Sequence, residues 1–228
     1  RLGSVSNTGT TLSTLTLNGL STSNTIAGSI TDGTAPTSVT LGGSSGNTAT
    51  WLLNGNSTYS GATSINYGTL RINGNNAAAS GAVTVANAAT LGGKGIVGGA
   101  TTVNNGTTLA PGDGGAGTLT FNNNLSLAGG TSKLLFEAGD LVAVNGTLSL
   151  ASAWNLAVAG SNFRNGGSVV LFTYATAGTL NINADIDVSG LDFTPSGPLS
   201  LTNTGTSIVL NGISSVYGIP KTTVVTIR

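Results

Sequence analysis

The feature that most constrains this chain is a short alternating apolar run closed by Asn-Gly, Gly-Gly or a near variant, repeated from end to end. It occurs as Leu15-Thr-Leu-Asn-Gly19, Val39-Thr-Leu-Gly-Gly43, Trp51-Leu-Leu-Asn-Gly55, Leu70-Arg-Ile-Asn-Gly74 and Ile208-Val-Leu-Asn-Gly212. Aliphatic side chains at alternate positions bury one face of a strand. Asn and Gly tolerate the left-handed backbone that a sharp corner needs. Each unit therefore predicts a short strand followed by a corner. Asn-Gly alone suits antiparallel hairpins equally well, so spacing decides. Beyond Leu53, strands are predicted near Ile65, Leu70, Val83, Leu91, Val103, Leu109, Leu119, Leu125 and Leu134. Strands so close and so unevenly spaced fit the coils of a solenoid, at about 20 or more residues per coil. No window places apolar residues at i, i+3, i+4 and i+7 among helix formers, so essentially no α-helix is expected. The expected fold class is all-β, a parallel, right-handed β-helix with apolar columns inside and Thr, Asn and Ser ladders outside. If every residue were coiled, the chain would make roughly eleven coils and a rod of about 50 Å.

Composition narrows the chemistry. The 228 residues include no His, Cys or Met and only seven basic and seven acidic side chains, against 36 Gly. General acid–base work near neutral pH, thiol or Ser–His nucleophiles and transition-metal sites lose their usual side chains. No catalytic residue is expected, and no cofactor. Net charge is zero with the charges scattered, which argues against nucleic acid and against a polybasic membrane contact. No apolar run approaches the length of a membrane-spanning helix, so no transmembrane segment is expected. Cys-free composition excludes a disulfide scaffold but says little about compartment. The start at Arg1-Leu2-Gly3, with neither Met nor a signal-peptide pattern, is read as a processed or trimmed product.

Residues Asn54-Gly-Asn-Ser-Thr-Tyr-Ser-Gly-Ala-Thr-Ser-Ile-Asn-Tyr-Gly-Thr-Leu-Arg-Ile-Asn-Gly74 form a pattern of Asn-Ser-Thr-Tyr-Ser-Gly-Ala-Thr followed by a Gly-Thr-Leu strand. Gly81–Gly99, Thr108-Leu-Ala-Pro-Gly-Asp113 and Gly117-Thr-Leu-Thr120 continue it. This stretch resembles the autotransporter-associated β-strand repeat of bacterial surface and secreted proteins, most specifically over residues 51–150. The resemblance implies a β-helical segment outside the cell, on the bacterial surface or in its matrix, and it brings no catalytic residues. The family's full-length members end in a membrane barrel, and 228 residues show no such run of amphipathic strands.

Three regions are expected: residues 1–160 as the repeat region, 161–217 as looser terminal coils or a cap, and 218–228 as a linker plus C-terminal strand. Within 161–217, Ser168-Val-Val-Leu-Phe-Thr-Tyr174 is the most apolar strand and Asn181–Val188 a strictly alternating one. Thr222, Thr223, Val224, Val225, Thr226 and Ile227 make an isolated strand that needs a partner edge, and exchange between subunits would supply one.

Candidate sites each have a plain alternative. Asp185 and Asp187, two apart on a strand, point their carboxylates to one face about 7 Å apart, and Asp192 follows a Gly corner. That pattern suits a weak Ca²⁺ site, or a glycosidase-like pair; a solvent-facing strand edge is the preferred reading. Lys133, Glu137 and Asp140 read as solvated corner charges. Gly112-Asp-Gly-Gly-Ala-Gly117 resembles the Ca²⁺-binding coils of secreted toxins but occurs once, so a turn is preferred. Trp51, Tyr59, Tyr67 and Trp154 offer ring faces to a glycan, with core packing as the preferred reading. The expected function is a non-enzymatic structural protein that self-associates into fibres through its coil ends or C-terminal strand. An adhesin binding glycans or a surface ligand, and a polysaccharide-acting β-helix enzyme, are the rival classes.

Overall fold

The computed structural model describes residues 1–86, 88–151, 154–160, 167–182, 184–191, 195 and 197–213. Among them the regular structure is entirely β. Apart from Val5–Ser6 and Ile30–Thr31, which pair with each other in parallel, and the antiparallel C-terminal strands, the strands fall into three strips that the chain visits in turn. Thr63–Ile65 lies in the first strip, Thr69–Ile72 in the second and Asn75–Asn76 in the third, after which Val83–Val85 returns to pair with Thr63–Ile65 in parallel. The first strip runs through Ser13–Leu17, Thr37–Leu41, Thr63–Ile65, Val83–Val85, Thr101–Val103 and Leu125–Leu127 to the second half of Leu141–Leu150. The second is an unbroken eight-stranded sheet from Asn24–Ile26 to Ala184–Leu191. The third joins Asn75–Asn76, Ile96–Val97, Thr118–Phe121 and the first half of Leu141–Leu150. Every pairing within these strips is parallel, as a β-solenoid requires.

The coils are less uniform than a fixed repeat. Val85 pairs with Val103, an advance of 18 residues, and Leu156 with Ile186, an advance of 30. Eight strands therefore stand in the second strip in place of eleven coils, which makes that strip about 34 Å long at the usual strand spacing.

Alternation is realised in register. Leu17, Leu41, Ile65, Val85, Val103, Leu127 and Leu150 stack one per coil inside the first strip, all essentially inaccessible to solvent. Leu70, Leu91, Leu109, Leu134 and Leu156 do the same in the second. Each such side chain contributes about 1.5–3 kcal/mol through burial. The positions one residue earlier face outward, and in the first strip they form a single file of hydroxyls: Thr16, Thr40, Ser64, Thr84, Thr102, Ser126 and Ser149. Thr50, Thr69, Thr90 and Thr108 make a shorter file on the second strip.

The corners correct the reason given for Asn and Gly. Gly19 and Gly212 do have positive φ, 134° and 82°. Gly55, Gly74 and Gly81 do not. They are glycines because successive coils approach too closely for a side chain. A Cβ on Gly74 would lie 2.1 Å from the carbonyl oxygen of Gly55, and one on Gly55 2.1 Å from that of Gly28. A second stack joins Gly61, Gly81 and Gly99 in the same way. Asn acts through its amide. Asn73 Nδ2 donates to Asn54 Oδ1, Asn56 Oδ1 accepts the backbone N–H of Asn75, and Asn124 Oδ1 accepts that of Thr147. Among the described residues no Asn has a positive φ. Corner Asn side chains thus satisfy backbone groups of the neighbouring coil where the strand ladder is interrupted.

Past Leu127 the strands lengthen, to 10 residues in Leu141–Leu150 and 13 in Ser168–Leu180. A longer perimeter encloses a wider core, and aromatic rings fill it. Phe136 and Trp154 each meet Phe172 edge-on, at centroid distances of 5.7 and 6.5 Å, an arrangement that aromatic quadrupoles favour. The parallel order then ends. Ser168–Leu180 is parallel to Leu141–Leu150 but antiparallel to Ser207–Asn211, which pairs antiparallel with Ser200–Asn203. Tyr174 Oη donates to Asn203 Oδ1 across this closure. The strand expected over 181–188 begins at Ala184 and runs to Leu191.

Candidate functional site

Two places on the coil stack depart from a simple rod. The first is its N-terminal end. Ser13–Leu17 has a neighbour on one side only, whereas Asn24–Ile26 in the second strip is met on its outer side by Leu2, whose N–H donates to the Thr25 carbonyl and whose carbonyl accepts the Ala27 N–H. A terminal strand presents unpaired backbone N–H and C=O groups along its free side. Around it Leu2, Leu12 and Leu20 are 44%, 61% and 73% exposed. Leu2 bridges to Ile26 in parallel, so it begins a further row of the second strip. Trp51 stands in the inward row there, over Leu70, and its indole N–H donates to the Asn18 carbonyl at 3.4 Å.

The opposite end is built differently. The antiparallel strands cover the edge of Ser168–Leu180 over its first half, Ser168–Thr173, while Ala184–Leu191 ends the second strip. Between them lies a cavity of about 670 Å³ lined by Trp154, Asn181, Ile182, Ile186, Leu199 and Leu201. Asp185 reaches its rim. Asp185 and Asp187 are exposed on the same face of the strand, as their spacing predicts, and Asp187 Oδ1 accepts the N–H of Ser189 at 2.8 Å. Asp192 lies outside the described residues, as do Thr222, Thr223, Val224, Val225, Thr226 and Ile227. Among the described residues no three His, Cys, Asp or Glu side chains gather where they could hold a metal ion, and no helix is long and apolar enough to cross a membrane.

The second departure is a charged corner midway along the second strip. Arg71 projects outward beside Gly92, its register partner. Gly92 has no side chain, so the Arg71 stem can lie along the axis. Its Nη1 donates to Asp113 Oδ1 at 2.9 Å and to the Gly112 carbonyl at 3.4 Å. Asn73 Nδ2 donates to Asp113 Oδ2 at 2.8 Å. The loop carrying Asp113 is pinned by a bridge in which Gly93 and Gly112 exchange backbone hydrogen bonds of 3.1 and 2.9 Å. Among the described residues Arg71–Asp113 is the one ion pair. Sequence reading treats Gly112–Gly117 as a turn and does not bring Arg71 to it, 42 residues away. The available signal is an isolated Arg at an outward strand position, flanked by buried Leu70 and Ile72.

Asp140 is no solvated corner charge. It is 3% exposed, accepting the N–H of Glu137 at 2.7 Å and of Gly117 at 3.0 Å. Burial pushes its carboxyl above the ordinary value despite these bonds, and the nearby Glu137 charge adds to the shift. Asp32 shows the reverse balance. Its carboxylate accepts hydrogen bonds from Ser60 and from the backbone N–H of Thr37, which hold its pKa below the ordinary value. Each carboxylate ties backbone from separate segments of the coil, a structural duty. Of the aromatic candidates, Tyr59 and Trp154 are buried, with Tyr59 Oη hydrogen-bonded to Thr63 Oγ1 at 2.7 Å; Tyr67 and Trp51 are half-buried.

No protein-family model, no curated protein and no solved structure matches the chain.

Proposed function

We propose that this chain is a right-handed parallel β-helix serving as a non-enzymatic structural element of a bacterial surface or extracellular matrix, and that it associates with further copies through its coil ends. The observation that carries this reading is the N-terminal coil. Among the described residues Ser13–Leu17 leaves the backbone donors and acceptors of its outer side open, near exposed Leu2, Leu12 and Leu20. Strand addition satisfies such an edge and covers the leucines at once. Charge, which ordinarily keeps edges apart, is scarce here: fourteen ionisable side chains of fixed sign in 228 residues. Right-handedness is supported by the strong preference of parallel crossovers for that hand. The surface location rests on the resemblance of residues 51–150 to autotransporter-associated repeats.

Sedimentation velocity over a concentration series, with electron microscopy of the same samples, tests the proposal. Residues 1–228 should form end-to-end species that grow with concentration, and Leu12→Lys with Leu20→Lys should leave a folded monomer. A monomer at every concentration for the parent chain would sink the idea. Deleting residues 218–228 separates the two ways of joining. Loss of assembly assigns the added strand to Thr222–Ile227, and unchanged assembly leaves direct stacking of coils.

A further inference from the structure

We propose that the Arg71–Asp113 corner is a binding site for a neutral saccharide. Beside the ion pair lies an open groove of about 420 Å³, a volume within the range of small-ligand sites. Its walls combine three kinds of group. The hydroxyls of Thr22, Thr25 and Thr50 make no hydrogen bond within the protein, so each is free both to donate and to accept. Leu52 supplies apolar wall. Arg71 and Asp113 supply a strong donor and a strong acceptor side by side.

The ion pair itself has capacity left. Arg71 uses Nη1 for both of its bonds, and Nε and Nη2 have no partner in the protein. Each Asp113 oxygen accepts one bond, from Arg71 or from Asn73, and a carboxylate oxygen has room for a second. A hydroxyl placed here accepts from the guanidinium while donating to the carboxylate, and an adjacent hydroxyl meets the threonines. Such alternation of donors and acceptors around an apolar ring face is the chemistry of a pyranose. The charges select among sugars. Arg71 is already neutralised at 2.9 Å by Asp113, so an acidic sugar would meet the Asp113 carboxylate without an uncompensated cation to repay it.

The partners are held in place before any ligand arrives. Asn73 fixes the Asp113 carboxylate, and the Gly93–Gly112 bridge fixes its loop to the strip that carries Arg71. Little ordering is left for binding to impose.

Titrating the ¹⁵N-labelled chain with cellobiose, chitobiose and digalacturonate, followed by NMR, tests the assignment. At least one neutral disaccharide should give saturable shifts at the Arg71 Nε–H and at the amides of Thr22–Thr25 and Gly114. Asp113→Asn should weaken that binding by about tenfold or more, as expected for losing a hydrogen bond to a charged group. Thr22→Trp, an exposed rim position outside the strips, fills the groove without touching the core and should abolish the shifts while the rest of the spectrum persists. Three results would overturn the proposal: no saturable shift with either neutral probe up to about 10 mM, a range that reaches even millimolar affinity; binding of digalacturonate alone; or equal binding by Thr22→Trp.

Discussion

The coils up to Leu127 and those beyond it solve one problem in two ways. In the first group the strands are two to five residues long, the interior is mainly aliphatic with Tyr59 and Phe121 as its buried rings, and the corners are stacked glycines and bridging asparagines. In the second the strands reach 13 residues, Phe136, Trp154 and Phe172 fill the interior, and the sheet closes with antiparallel strands. A narrow coil needs small residues where its backbone turns over its neighbour; a wide one needs large residues where its walls would otherwise stand apart. The stability of the first group thus lies in its corners, and that of the second in its centre.

Substitutions can break that division. Phe172→Ala removes the ring that both Phe136 and Trp154 touch, and should cost about 3–5 kcal/mol. Urea denaturation monitored by Trp154 fluorescence will read it; a cost under about 1 kcal/mol would show the wide core to be loosely packed. Gly81→Ala comes next. Its Cβ would lie 2.0 Å from the carbonyl oxygen of Gly61, backbone against backbone, and the expected loss is about 2–3 kcal/mol. Its control is Gly167→Ala in the second region, where nothing lies within 4 Å and the change should stay within about 0.5 kcal/mol. Equal effects at the two glycines would erase the distinction drawn between corners.

The smallest effects are expected from pH. The Asp32 pKa is lowered in the folded chain, so its contribution is present above the ordinary carboxylate value and disappears as pH falls through the folded one. The Asp140 pKa is raised, so its contribution is full below the ordinary value and is lost as pH rises through the folded one. Thermal unfolding from neutral pH into the acid range should show Asp32→Asn losing part of the acid destabilisation and Asp140→Asn steepening it. A shift of the same sign for both would contradict the burial of Asp140.

The same division governs what could be read from sequence. Rows such as Leu41, Ile65, Val85 and Val103 were legible because alternation is a local property. Gly74 and Asn73 were legible as a corner but for the wrong reason, since the close approach that demands glycine and the amide bridge to Asn54 belong to stacked coils. The Arg71–Asp113 pair was beyond reach. It depends on two successive coil lengths, and those vary from 18 residues between Val85 and Val103 to 30 between Leu156 and Ile186. Burial of Asp140 was hidden likewise, because its partner Gly117 is supplied by the preceding coil.

The three strips have a mechanical consequence. Where all three are present, from Asn75 to Leu150, each coil is joined to the next by separate lines of hydrogen bonds at different places on its perimeter, all directed along the axis. Tension on the stack is therefore shared among them, and bending in any direction stretches one line while compressing another. Stiffness of this kind depends on backbone geometry more than on side-chain identity, which leaves the outward rows free to vary without softening the rod.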